Sequence, residues 1–467
     1  MAKPLDPTAA AFLLSETRNV PMHVGGLQLF EKPEGAGPGY VREMYEQMRD
    51  VDRVSRLFLQ HPYRSPRTAG QYMWVEDEQF DMEHHVRHSA LPQPGRIREL
   101  LDLVGRLHSA RLDYDRPLWQ AHVIEGLADG RVGLYTKIHH AMLDGVSAMR
   151  LLQSVLSTDP GQREMPAPWA QLPEHSRIGH RQEEVRDLAE VSAATVRKAL
   201  GLTAEAAGLP GAFVKTVQRS LRNETSALSL FAPRTILNQP ITGSRRFAAD
   251  HWELSRIRAV GRSTGATLND VVIAMCSGAL RRYLLDANAL PDAPMVAMVP
   301  VSLRARRTQY SSASGGNAIG SIMTNMATDL PDAEARLRAI HRSMLAGKQA
   351  LATMTPVQIV AMSAIGQAPA VLPSLLRMGG VLRPPYNVVI SNVPGPRKAH
   401  YWNGAEMLSM YPLSIPIDGM ALNITCASYN GLMCFGLTGC RRTVPHLQRL
   451  LTYLDEELAA LEKVAGI

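Results

Sequence analysis

Apolar and polar positions along the chain fall into two rhythms that replace one another. Runs with a period of two predict strands, and runs with a period of about 3.6 predict helices. Strand-like runs occupy Met22–Phe30, VIEGL at 123–127, VGLYTKIHH at 132–140, Met295–Leu303, GNAIGSIMTNM at 316–326 and YNVVISNV at 386–393. The segment 421–440 reads as a hairpin, because Asn430-Gly431 is a strong two-residue turn signal. Helical periodicity covers Tyr40–Met48, Ile97–Leu112, Thr267–Leu285 and 443–463. Thr267 and Asp270 stand at capping-box spacing at the start of the third helix.

Between these two regions of alternating strands and helices the texture changes. TDPGQREMPAPWAQLPEH at 158–175 is rich in proline and polar residues, and a long helical stretch, Arg181–Leu221, follows with Gly and Pro interruptions at 208–211. A single core rarely grows past about 250–300 residues. A chain of 467 residues is therefore expected to hold two domains. The expected division is an N-terminal α/β domain at 1–157, a partly helical connector at 158–240 and a C-terminal α/β domain at 241–467.

The rhythm of VGLYTKIHH carries the chemistry. In a strand, Val132, Leu134, Thr136, Ile138 and His140 share one mostly apolar face, and Gly133, Tyr135, Lys137 and His139 share the more polar one. His140 should then project inward. Adjacent residues cannot both enter one pocket, so one histidine is the candidate reagent and the other the candidate support. After them the period becomes helical, with Val146, Met149, Leu152, Val155 and Leu156 on one side. Asp144 stands where a carboxylate caps a helix, and Gly145 permits a tight turn. The unit is strand, histidine, bend, helix.

A neutral imidazole can take a proton from an attacking hydroxyl or amine. Acyl transfer needs that step, and an apolar channel around the base limits competition from water. Other chemistries lack their motifs. There is no GxSxG elbow, no GxxxxGK[ST] phosphate loop and no HExxH zinc helix. The cluster EHHVRH, Glu83–His88, has no neighbouring cysteine or acid to complete a metal site and is expected as a half-exposed strand; no metal ligand is assigned.

Composition narrows the partners. Hydrophobic residues make up 45% and charged residues 20% of the chain, values ordinary for a globular protein. The net charge of +7 suits anionic partners such as a nucleotide phosphate or an anionic bilayer. The basic residues come in pairs without interleaved aromatics, which argues against nucleic acid. Cys276, Cys426, Cys434 and Cys440 form no CxxC pair and are expected as buried, reduced thiols. The N-terminus lacks the features of a signal peptide. The most apolar run, Ile359–Leu376, is interrupted by Gln367 and two prolines, and reads as a buried helical pair or a lipid-facing patch.

HHAMLDG, His139–Gly145, matches the HHxxxDG signature of acyltransferases related to chloramphenicol acetyltransferase. PMHVGGLQLF, RPLW at Arg116–Trp119, TLNDVVIAMCSGALRRYL, MVPVSLR, GNAIG and ISNVPGP at Ile390–Pro396 extend the likeness in order along the chain. With them, the chain resembles the bacterial wax ester synthase/diacylglycerol acyltransferases. The resemblance implies two chloramphenicol-acetyltransferase-like domains, each a mixed sheet with helices, around a central channel. It implies transfer of a fatty acyl group from acyl-CoA, as substrate and not cofactor, to a long-chain alcohol or to diacylglycerol. It makes His140 the general base, His139 its support and Asp144 a loop-orienting partner beside Gly145. Asn269, Asp270 and Asn392 are candidate channel residues; helix capping accounts for the first two equally well, and a turn accounts better for Asn392. Glu16 resembles a position beside the base, with no task assigned. The expected location is cytoplasmic, at the inner membrane face or on lipid inclusions. Two other readings stay open: a condensation-type transferase to amines, and a lipid-binding protein without catalysis.

Overall fold

The structure is a computed structural model and describes residues 3–68, 70–172, 232–302, 319–352, 354 and 383–467. The expected helix Arg181–Leu221 and the apolar run Ile359–Leu376 lie outside these residues, as does most of GNAIG.

Two six-stranded sheets dominate. The first runs β12 (His400–Trp402), β13 (Ala405–Leu413), β2 (His23–Glu31), β7 (Val132–His139), β6 (Trp119–Glu125), β5 (Val86–Ala90). All its pairings are antiparallel except β5 with β6. The second runs β10 (Ile319–Asn325), β9 (Val296–Ser302), β11 (Val388–Val393), β14 (Leu422–Tyr429), β15 (Leu432–Cys440), β8 (Arg245–Glu253). Its centre is parallel, where β11 lies between β9 and β14. A small antiparallel sheet joins β1 (Lys3–Pro4), β4 (Tyr72–Glu76) and β3 (Gln60–Arg64).

Most of the predicted elements form close to their expected bounds. The β14–β15 turn has positive φ at both Asn430 (41°) and Gly431 (82°), the geometry that matches strand twist in a two-residue hairpin. The helix Leu268–Asp286 starts on the Thr267–Asp270 capping box and is buried nearly all round from Asp270 to Leu284. Helix α4 (Ile97–Ser109) places Leu100, Leu101, Val104 and His108 on its buried face. The motif EHHVRH is half of each kind: Met82–His85 is a short helix, α3, and Val86 opens β5. His85 is buried against Trp119, whose carbonyl lies 2.8 Å from its Nδ1, whereas His88 turns to Glu125 at the surface.

The expected boundary at 240/241 does not separate the sheets. Strands β12 and β13, far into the second region, lie at the edge of the first sheet, with Leu413 opposite Gly25 and Tyr411 opposite Leu27. The connector ends follow the regions they adjoin. Trp169 packs in the core of the first sheet, and Leu237 packs in the core of the second.

Candidate active site

The end of β7 is gripped from both sides. The His139 N–H donates to the Leu118 carbonyl and the His140 N–H to the Met22 carbonyl, each at 2.9 Å. Leu118 is fully buried, and the Trp119 indole N–H donates to the Phe58 carbonyl. The RPLW stretch is thus packing that also fixes the histidine backbone.

Beyond the histidines the chain bends into helix α5 (Gly145–Ser154), capped as expected by Asp144. Asp144 Oδ1 accepts from Ser147 N at 2.8 Å and Oδ2 from the Ser147 hydroxyl at 3.1 Å. The expectation for Gly145 needs correction. Its φ is not positive, and an added Cβ would meet only Val24, at 3.9 Å. The capping residue makes the bend, and the glycine leaves open the cavity wall it helps to line.

His139 lies on the more polar face, shared by Tyr135 and Lys137, and this face is buried throughout. It packs toward α4, where Lys137 Nζ donates to the carbonyls of Leu107 and Ala110 at 3.0 and 2.9 Å. These carbonyls close the helix end, so the Nζ–H donors satisfy orphan acceptors there, while burial lowers the Lys137 pKa to about 7. The His139 Nε2–H donates to Glu16 Oε2 at 3.2 Å, and its Nδ1 accepts from Ala141 N at 3.0 Å. Those two bonds fix the orientation of the ring at the end of β7.

Glu16 is clamped in turn. The Tyr114 hydroxyl donates to Oε2 at 2.5 Å, and Arg111 Nε stands 3.3 Å from Oε1. Burial raises the Glu16 pKa, but hydrogen bonds and charge from His139, Tyr114 and Arg111 outweigh it and leave the carboxyl below its ordinary range.

His140 faces the other way. Its ring stacks on Phe12 of helix α1 (Pro7–Ser15), with centroids 4.2 Å apart, and lines a cavity of about 480 Å³ between the two large sheets. Val24, Ile138 and Met149 form the wall on its side, and Met298 and Val389 the wall opposite. Burial lowers the His140 pKa, with the Asp144 charge opposing and His139 adding to the drop. The imidazole is neutral at neutral pH and open to an apolar space large enough for lipid chains.

The three remaining candidates sit apart from this cavity. Asp270 Oδ2 accepts from Thr267 N and from His341 Nδ1, at 2.9 and 2.8 Å. Asn392 lies inside β11, with its Nδ2 3.5 Å from Asn269 Oδ1. None of the three is in the cavity wall. Sequence reasoning left Phe12 and Tyr114 unnoticed. Phe12 belongs to a short apolar helix that reads as ordinary core. Tyr114 meets Glu16 across 98 positions of sequence, beyond any local pattern.

Two mixed sheets around an apolar cavity, with a neutral histidine at a strand end and an Asp-capped helix beside it, define an acyltransferase of the chloramphenicol-acetyltransferase-like kind. Comparison with known proteins gives the particular family. Residues 5–272 match the wax ester synthase/diacylglycerol acyltransferase catalytic domain, and residues 315–462 match the WS/DGAT C-terminal domain. The chain belongs to this family. It is 43% identical over 461 residues to a Mycobacterium tuberculosis protein named "Probable diacyglycerol O-acyltransferase tgs2", covering 99% of each chain. It is 44% identical to the solved wax ester synthase/diacylglycerol acyltransferase from Marinobacter aquaeolei VT8, with a TM-score of 0.79 and full coverage of both. The first condensation domain of the calcium-dependent antibiotic synthetase shares the fold alone, at 15% identity, a TM-score of 0.57, and coverage of 100% of this chain and 96% of that one.

Proposed function

We propose that the protein transfers a fatty acyl group from acyl-CoA to the hydroxyl of a long-chain alcohol or of diacylglycerol, with His140 as general base. The observation that carries this reading is the neutral His140 ring, stacked on Phe12 in the wall of the apolar cavity. The imidazole removes the acceptor's hydroxyl proton as the oxygen attacks the thioester carbonyl. The tetrahedral intermediate collapses, the carbon–sulfur bond breaks, and the imidazolium returns the proton to the CoA sulfur. No acyl-enzyme is formed. His139 supports the base by anchoring the end of β7, and Asp144 orients the loop. The chain is read as two like halves, 1–157 and 241–467, joined by 158–240, with strands β12 and β13 crossing to the first half.

The test uses purified protein, one acyl-CoA, and hexadecanol or diacylglycerol, with release of free CoA thiol as the readout. Thiol release should depend on the acceptor and be lost in His140→Ala. Release at the wild-type rate by that variant ends the reading.

Both products come from poorly soluble acceptors, and no helix among the described residues is long and apolar enough to cross a membrane. The reading therefore includes peripheral attachment at the inner membrane face or a lipid inclusion. Leu14 on α1 is 56% exposed and Tyr63 on β3 is 45% exposed. The helix and the small sheet pack together through Leu13, Tyr72 and Trp74. Leu14→Glu should weaken flotation with anionic phospholipid vesicles, and unchanged flotation would remove this face from the proposal.

A further inference from the structure

The wall opposite His140 is not uniformly apolar. β11 and β14 run parallel, with Val389 beside Asn423 and Ser391 beside Thr425, and Val389 also pairs with Met298 of β9. All five residues line the cavity. Side chains two apart on a strand share a face, so Ser391, Asn423 and Thr425 form a polar patch on one inward surface.

The patch has a defined hydrogen-bonding sense. The Thr425 hydroxyl donates to Asn423 Oδ1 at 2.8 Å. That bond occupies the amide's acceptor and presents its Nδ2–H donors. Among the described residues, neither Asn423 Nδ2 nor the Ser391 hydroxyl has a hydrogen-bond partner of its own. Asn423 is only 5% exposed, so the cavity is where its amide can be met. A donor kept in an apolar wall without a partner is unfavourable unless a bound molecule brings an acceptor.

The two acceptor classes differ in what they bring. A long-chain alcohol has one oxygen, the one that reacts. A diacylglycerol also carries two ester carbonyls close to its free hydroxyl, and both lose water when the glycerol backbone enters the cavity. Resting on the acyl-transfer reading above, we infer that Ser391 and Asn423 donate hydrogen bonds to the ester carbonyl oxygens of diacylglycerol and set its selection over simple alcohols. Thr425 acts through Asn423 as a positioning residue.

The experiment measures kcat/KM with one acyl-CoA and three acceptors: diacylglycerol, the matching dialkylglycerol diether, and hexadecanol. The diether keeps the shape and hydroxyl but lacks the carbonyls. Wild-type protein should favour diester over diether, and Asn423→Leu should cut that ratio about 10-fold, the effect of one lost buried hydrogen bond. The diacylglycerol-to-hexadecanol ratio should fall in parallel. Ser391→Ala removes one oxygen from the strand, and should shift the same ratios in the same direction. It keeps the test readable where Asn423→Leu does not fold. A fall of equal proportion with all three acceptors would overturn the inference, because the donors would then serve the thioester carbonyl common to every reaction. Unchanged ratios in both variants would overturn it as well. Failure of wild-type protein to release thiol with any acceptor would overturn this inference together with the reading it rests on.

Discussion

Glu16 and His139 form a fully enclosed carboxylate–imidazole pair: Oε2 and Nε2 are 3.2 Å apart and neither side chain has exposed surface. Glu16 leaves α1, the helix that also supplies Phe12 beneath His140. One helix therefore holds both histidines, the first by hydrogen bond and the second by stacking. Glu16→Ala would strand the His139 Nε2–H in a buried site, at about 1–3 kcal/mol for an unsatisfied group, and would leave the Tyr114 hydroxyl only the longer bond to the Leu13 carbonyl at 3.2 Å. It should lower both stability and kcat. Glu16→Gln keeps an acceptor for His139 and should recover much of kcat. Thermal melts with steady-state kinetics for both variants check this. A Glu16→Ala enzyme with wild-type kcat would remove Glu16 from the support of the site.

His140 is the residue whose loss should be felt in chemistry more than in folding. General-base catalysis contributes about 10²–10⁴-fold, and His140→Ala should lose that much kcat with a melting temperature near wild type. The pH profile gives a second reading. Burial holds the ring below its ordinary pKa of 6.5, so its protonation is displaced toward more acidic pH. The acidic limb of kcat/KM should therefore lie below 6.5. A limb at or above that value would mean the titrating base is not this ring.

How far the sequence could be read varied with how local each feature is. The strand-to-helix unit around His140 and the Asp144 cap depend on neighbours within a few positions, and the period of the chain shows them. The Asn430-Gly431 turn is equally local. The partners of His139 are not. Glu16 lies 123 positions away, and nothing in VGLYTKIHH tells a polar face that meets solvent from one that meets Lys137, Glu16 and the end of α4. The crossing of β12 and β13 into the first sheet is a choice of partner strand, which a strand's own pattern does not encode. Asn392 illustrates the same limit. Its position before Pro394-Gly395 suggested a turn, but its side chain reaches toward Asn269 on a helix.

Acid should unfold this protein earlier than a count of its carboxylates suggests. Among the described residues, burial also lowers the pKa of His85 to about 4, of His108 and His122 to about 3, of His23 well below its ordinary value, and of the half-buried His84. The nearby Lys137 charge lowers His23, His108 and His122 further. With folded pKa values below the unfolded value, the unfolded chain binds more protons as pH falls below about 6.5. The stability these rings contribute is complete above that pH and drains away as pH falls toward their folded values. For His85 alone the linkage is on the order of 3 kcal/mol by about pH 4. The urea midpoint should drop steadily between about pH 6.5 and 4.5, a window set by these shifts. His122→Asn should flatten part of the slope. A midpoint constant across that window would contradict the burial of these rings as neutral species.

The adjacent glycines of β2 should respond to substitution in opposite ways. A Cβ on Gly25 would stand 2.9 Å from the Thr136 carbonyl oxygen and 3.1 Å from the Tyr135 ring, so the paired strand would have to move. Gly25→Ala should lose about 1–3 kcal/mol, the usual effect of overpacking, with activity falling because the displaced strand carries both histidines. A Cβ on Gly26 meets nothing closer than Thr136 Oγ1 at 3.8 Å and Leu152 at 3.9 Å, and the residue lines the cavity. Gly26→Leu should therefore fold normally while filling space that a lipid chain would occupy. Each methylene excluded from an apolar pocket changes selection by about 10–200-fold. With a panel of acyl-CoA and alcohol chain lengths, the optimum should move toward shorter chains in at least one substrate, and the affected substrate would be identified as the one that runs along β2. A chain-length profile identical to wild type for both would place the lipid path elsewhere in the cavity, away from this strand.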